Sequence, residues 1–84
     1  MTRQYFLFDP HAVRRLISRR VPYEAVLQIA EFGVTVQESS LSKMKRGEVN
    51  GMAVHVVVLK EHIIKTVYFA DEWVSKVTVE RIHA

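Results

Sequence analysis

A chain of 84 residues, 49% hydrophobic and 25% charged, has the composition of one small folded domain and excludes a disordered chain, so 1–84 reads as a single unit. Zero cysteines exclude disulfide staples and thiolate metal sites, and no apolar run approaches the ~20 residues of a bilayer span, so a soluble, cytoplasmic protein with no membrane partner is expected. The net charge of +3 is unevenly spread, with Arg14, Arg15, Arg19 and Arg20 in one cluster and Lys43, Lys45 and Arg46 in another, each suited to RNA, DNA or an acidic protein partner.

In chain order, Gln4 to Phe8 is short and apolar and reads as a strand or a clamp over the core. Asp9 is a good N-cap and Pro10 suits the first helical position, so a helix is expected from about Pro10 to Arg19 or Arg20. Its apolar stripe is Val13, Leu16 and Ile17; His11, Arg15 and Ser18 share an adjacent face. Val21-Pro22 interrupts, and Tyr23 to Phe32 forms a second helix with Val26, Ile29 and Ala30 inward, Glu24 in its first turn and a stop at Gly33.

From Gly33 the period changes to two. Val34-Thr35-Val36 opens a strand and Ser39-Ser40 breaks it. Asn50-Gly51 tolerates the positive φ of a type I′ turn, which predicts a hairpin joining about Lys43–Val49 to Met52–Leu59. Lys60-Glu61 makes a second tight connection into His62–Phe69, and after Asp71-Glu72-Trp73 a last strand covers about Val74–Ile82. With Leu59 opposite His62, one face shows Met52, Val54, Val56, Val58, Ile63, Val67 and Phe69, interrupted only by Lys65. The other gathers Arg46, His55, Thr66 and Tyr68, with His55 between Arg46 and Thr66. The expected core is Leu16, Ile17, Val26, Ile29, Val54, Val56, Val67 and Phe69. The fold class is α+β: two N-terminal helices packed on one face of a four- to five-stranded antiparallel meander sheet.

His55 lies inside a valine run, so its ring is either hydrogen-bonded in the core, to a carbonyl or Thr66, or faces outward as part of a site. His11, His55, Thr66 and Tyr68 are the candidate catalytic residues, and Arg15, Arg19 and Arg46 the candidate nucleic-acid-binding residues. Such a set suffices for metal-independent phosphodiester cleavage: an imidazole takes the 2′-hydroxyl proton, a second group protonates the leaving oxygen, and guanidinium stabilises the phosphate charge. The four histidines show no metal-ligand spacing and no Gly-rich phosphate loop is present, so no metal and no cofactor is expected.

Three stretches together resemble the small bacterial domain-of-unknown-function family 4258. They are His11-Ala12-x-x-Arg15-Leu16-x-x-Arg19-x-Val21, Asn50-Gly51 followed by Met52 to Val58 around His55, and Ile63 to Tyr68 followed by Trp73 and Arg81. The resemblance covers about residues 6 to 82; the chain departs from the family pattern at Phe69-Ala70-Asp71, where Pro-Asp is common, and at Lys60-Glu61, where a glycine turn is common. Compact domains of this kind are similar to RelE-type toxins, which implies an RNA-cleaving role and an acidic antitoxin-like partner. The alternative is a non-catalytic module that binds protein or nucleic acid through its basic helix, and the oligomeric state stays open.

Overall fold

In the computed structural model, which describes residues 5–71, Asp9 starts the first helix, α1 (Pro10–Ser18), by accepting the His11 backbone N–H at 2.9 Å. The helix ends with Arg20 at φ 55°, where the Arg20 N–H bonds the Ile17 carbonyl and the Val21 N–H bonds the Leu16 carbonyl. This is the Schellman arrangement, with an arginine in the left-handed position that glycine usually fills, and buried Val21 and Leu16 as its apolar pair. The second helix, α2 (Tyr23–Phe32), follows at once and stops at Gly33.

Before α1 stands a two-residue strand, β1 (Leu7–Phe8); after α2 come β2 (Val34–Glu38), β3 (Ser42–Val49), β4 (Met52–Leu59) and β5 (Ile63–Phe69). The sheet order is β1-β5-β4-β3-β2, and all pairs are antiparallel except β1 with β5. Among the described residues the fold is thus α+β with a mixed sheet of five strands, correcting the purely antiparallel meander. Two antiparallel strands can be joined by a hairpin, but β1 reaches β5 through both helices and three strands, and that crossover permits a parallel pair. The helices also do not open the chain, since β1 precedes them; α1 lies against β5, and α2 against β4 and β3. The expected strand at Val74–Ile82 and Trp73 lie outside the described residues.

One apolar cluster joins Ala12 and Leu16 of α1, Val26, Ile29 and Ala30 of α2, Val54, Val56 and Val58 of β4, and Ile64 and Val67 of β5. Most of the expected core is there, with Phe69 partly buried against it. Ile17 is the exception at 66% exposed. The buried line of α1 runs through Ala12 and Leu16, one turn apart, and Ile17 sits about 100° round the helix from Leu16, on the solvent side with Val13.

The β5 register carries the second correction. Val57 pairs with Thr66 but Val58 pairs with Ile64, so Lys65 is an extra residue bulged out of the ladder. The bulge resolves the flaw in the period-two reading: Lys65, expected in an apolar row, is exposed, and fully buried Ile64 takes the core position expected of Ile63. The connecting turn holds Lys60 and Glu61 at φ 51° and 69°, and β5 begins at Ile63 rather than His62.

Gly33 sits where α2, β2 and β3 meet. A Cβ there would lie 2.5 Å from the Ile29 carbonyl oxygen and 2.8 Å from that of Arg46, both backbone atoms that cannot swing aside. Gly33→Ala is therefore expected to cost about 1–2 kcal/mol, read as a lower urea midpoint at unchanged slope. An unchanged midpoint would show that the junction has room.

Candidate functional site

Along β4, Val54, Val56 and Val58 face the helices, so His55 and Val57 face the other way, onto the side of the sheet away from α1 and α2. Asn50 and Gly51 adopt φ 54° and 81°, the turn their chemistry favours, which locks β3 to β4 with Arg46 opposite His55 as expected. On the other flank His55 faces Tyr68, not Thr66; Thr66 stands opposite Val57, two pairs further along. The expected His55–Thr66 pairing is thus wrong because the turn after β4 is longer than a two-residue loop and β5 is bulged. The row Arg46, His55, Tyr68 crosses three adjacent strands, with Thr66 diagonal to His55 on the same face.

His55 is only 8% exposed, and among the described residues neither ring nitrogen has a hydrogen-bond partner. Neither of the expected core bonds, to a carbonyl or to Thr66, is made. The ring instead packs edge-on to Tyr68, with centroids 5.4 Å apart and planes at 84°. Burial first, then the Arg46 guanidinium, holds the imidazole below its usual range, because both disfavour the cationic form. Burial also raises Tyr68, whose hydroxyl donates to Met44 Sδ at 3.4 Å. The row therefore sets a neutral imidazole, a protonated phenol and a fixed cation side by side, a division of proton acceptor, proton donor and charge stabiliser. Met44 is a member of this face that sequence reasoning missed. Its position opposite Val57, two residues from Arg46 on the same strand face, was readable from the hairpin register.

The second group lies on α1. Arg15 Nε donates to His11 Nε2 at 3.2 Å, Ser18 Oγ donates to the Arg15 carbonyl at 3.2 Å, and Arg19 Nη1 donates to Ser18 Oγ at 3.0 Å. Through this bond His11 orients the Arg15 guanidinium. Arg14 flanks the same face, and helix α1 itself carries no acidic residue. Among the described residues no carboxylate pairs with Arg14, Arg15 or Arg20. The buried side of α1 joins the cluster on the Val54–Val56 face, so His11 and His55 stand on opposite sides of the sheet. The structure brings together His55, Tyr68, Thr66 and Arg46, and separately His11, Arg15 and Arg19.

A third polar group escaped the sequence reading. Lys43 Nζ lies 3.6 Å from Glu38 Oε2 and 3.7 Å from Glu61 Oε1, beside an open pocket of about 220 Å³ lined by Ala30, Glu31, Lys45 and Val58. Such partly exposed pairs add little stability. Among the described residues no three His, Asp or Glu side chains cluster as metal ligands, and no helix is long and apolar enough to cross a membrane. In comparisons with known proteins, the chain matches no family model, no curated protein and no solved structure.

Proposed function

We propose that the protein binds RNA along the arginine face of α1. The observation that carries this reading is Arg14 and Arg15 side by side on a helix without a single carboxylate, with Arg19 and Arg20 following at its end. Guanidinium groups attract phosphate, and binding then releases the counterions condensed on the nucleic acid. The resemblance to family 4258, and through it to RelE-type toxins, supports RNA as the substrate class. Mixed-sequence RNA titrated against the purified protein at several salt concentrations tests the reading. Arg14→Ala and Arg15→Ala are each expected to weaken binding and to flatten the log–log salt slope by about 0.7, the contribution of one single-strand phosphate contact. Wild-type protein that binds no RNA at low salt, or variants that keep the full slope, would sink it.

Metal-independent cleavage on the sheet face away from the helices is the second reading, and the Arg46–His55–Tyr68 row favours it. The ring nitrogens of His55 are buried in the free protein, so RNA must uncover the imidazole on binding; it then replaces the two-histidine pair as proton acceptor, Tyr68 serves as donor to the leaving oxygen, and Arg46 steadies the phosphate. The 2′-hydroxyl this chemistry needs makes RNA, and not DNA, the substrate. Cleavage is then expected to persist in excess chelator.

A further inference from the structure

Tyr68 stands on β5 and Met44 on β3, with β4 between them, yet the Tyr68 hydroxyl donates to Met44 Sδ at 3.4 Å. Neighbouring strands lie about 4.8 Å apart, so the two side chains meet only by reaching over β4. The register says where. Tyr68 pairs with His55 and Met44 pairs with Val57, all on the face away from the helices. The phenol therefore lies across β4 beside the imidazole, which it meets edge-on. Arg46, on the other flank of His55, is exposed, whereas Tyr68 is half-buried, so the phenol packs down on the ring and the guanidinium does not.

We propose that Tyr68 is a lid over His55, latched at its tip by Met44, and that it swings away from the sheet to uncover the imidazole. The lid deepens the cleavage reading and rests on it for its use, because a sealed ring reaches no 2′-hydroxyl until the phenol moves. Two features bring the lid near its opening point. A thioether is a weak acceptor, and a phenol released from it finds stronger partners in water or phosphate. Beneath the lid neither imidazole nitrogen has a partner among the described residues, so uncovering the ring gains hydrogen bonds that the closed state denies it. Against these stand the apolar area of the phenol and its ring contact with His55, which hold the lid shut in the free protein. The balance gives a closed state with a minor open one, and a ligand that pairs with the uncovered imidazole shifts the population. Opening also frees the phenol hydroxyl from Met44 to serve the leaving oxygen.

The lid is read without RNA by diethyl pyrocarbonate, which labels imidazoles that solvent reaches, with peptide mapping by mass spectrometry and exposed His62 as the internal reference. Wild-type His55 is expected to label at least about tenfold more slowly than His62. Met44→Leu removes the acceptor at similar volume, and Tyr68→Phe removes the donor. Each is expected to speed His55 labelling by the same factor, about threefold, with no further gain in the double variant, because both break one bond. Tyr68→Ala removes the lid itself and is expected to speed it by about tenfold or more. His55 as slow in Tyr68→Ala as in the wild type, or unequal and additive effects of the two conservative variants, would overturn the proposal. So would labelling that climbs steeply with the first additions of urea, the mark of global unfolding rather than local opening. Cleavage is scored apart: Tyr68→Phe is expected to label faster yet cleave at least about tenfold more slowly, having lost its donor. A protein that labels as expected but cleaves no RNA loses the cleavage reading and keeps the lid.

Discussion

Ile64→Ala is expected to destabilise the protein by about 3 kcal/mol, and Ile63→Ala by less than about 1 kcal/mol, although the two isoleucines are adjacent in sequence. Ile64 is fully buried among Val56, Val58 and the residues of α1, so truncation removes its transfer free energy and leaves a cavity. Ile63 faces Leu59 on the side away from the helices and is only half-buried, so little apolar contact is lost with it. The contrast tests the Lys65 bulge directly. Without the bulge, period-two alternation from Val67 would run through Lys65 to Ile63 and reverse the order. Urea unfolding of both variants decides, provided the slopes match that of the wild type. Equal midpoints, or a larger loss at Ile63, would place β5 in the unbulged register.

That bulge also marks where sequence reasoning stopped working. Local chemistry was legible wherever one residue type has one strong use: Asp9-Pro10 opening α1, Gly33 closing α2, Asn50-Gly51 turning β3 into β4. The Arg46–His55 pairing follows from the last of these, since a tight turn fixes every pair along its hairpin. Tyr68 as the other neighbour does not, because Lys60-Glu61 has no turn preference and the structure forces both residues to positive φ. The clue lay in Lys65, the one polar residue in an otherwise apolar row. A lysine that a regular strand would bury is better accommodated by a local break in register than by a buried ammonium. Ile17 misled for a different reason: a helix with apolar residues at Val13, Leu16 and Ile17 offers two possible buried lines, and small Ala12 allowed α1 to approach the sheet through the other. Parallel pairing of β1 with β5 joins residues far apart in the chain, a distance over which local pattern carries no information.

The unpaired imidazole nitrogens of His55 could not be read from sequence at all, and they carry the most informative substitution. His55→Leu is expected to raise stability at neutral pH by about 1 kcal/mol, because a buried polar group without partners costs about 1–3 kcal/mol and the lost ring contact with Tyr68 returns part of that. The same variant is expected to lose RNA cleavage by roughly a hundredfold if His55 is the proton acceptor, since leucine has no lone pair to offer. Acid sharpens the contrast. The folded imidazole is held below its ordinary value of 6.5 by burial and Arg46, so below that pH the unfolded chain takes up a proton that the folded one resists. Wild-type stability therefore falls as pH drops through this range, while above it the contribution is constant, and His55→Leu removes that part of the decline. A residue whose replacement strengthens the fold while abolishing activity is kept for its chemistry. Unfolding curves across pH, paired with cleavage of mixed-sequence RNA in excess chelator, separate the cases. Unchanged cleavage in His55→Leu defeats the catalytic reading of the Arg46–His55–Tyr68 row. A loss of stability at neutral pH would show instead that the ring has partners that hold the sheet together.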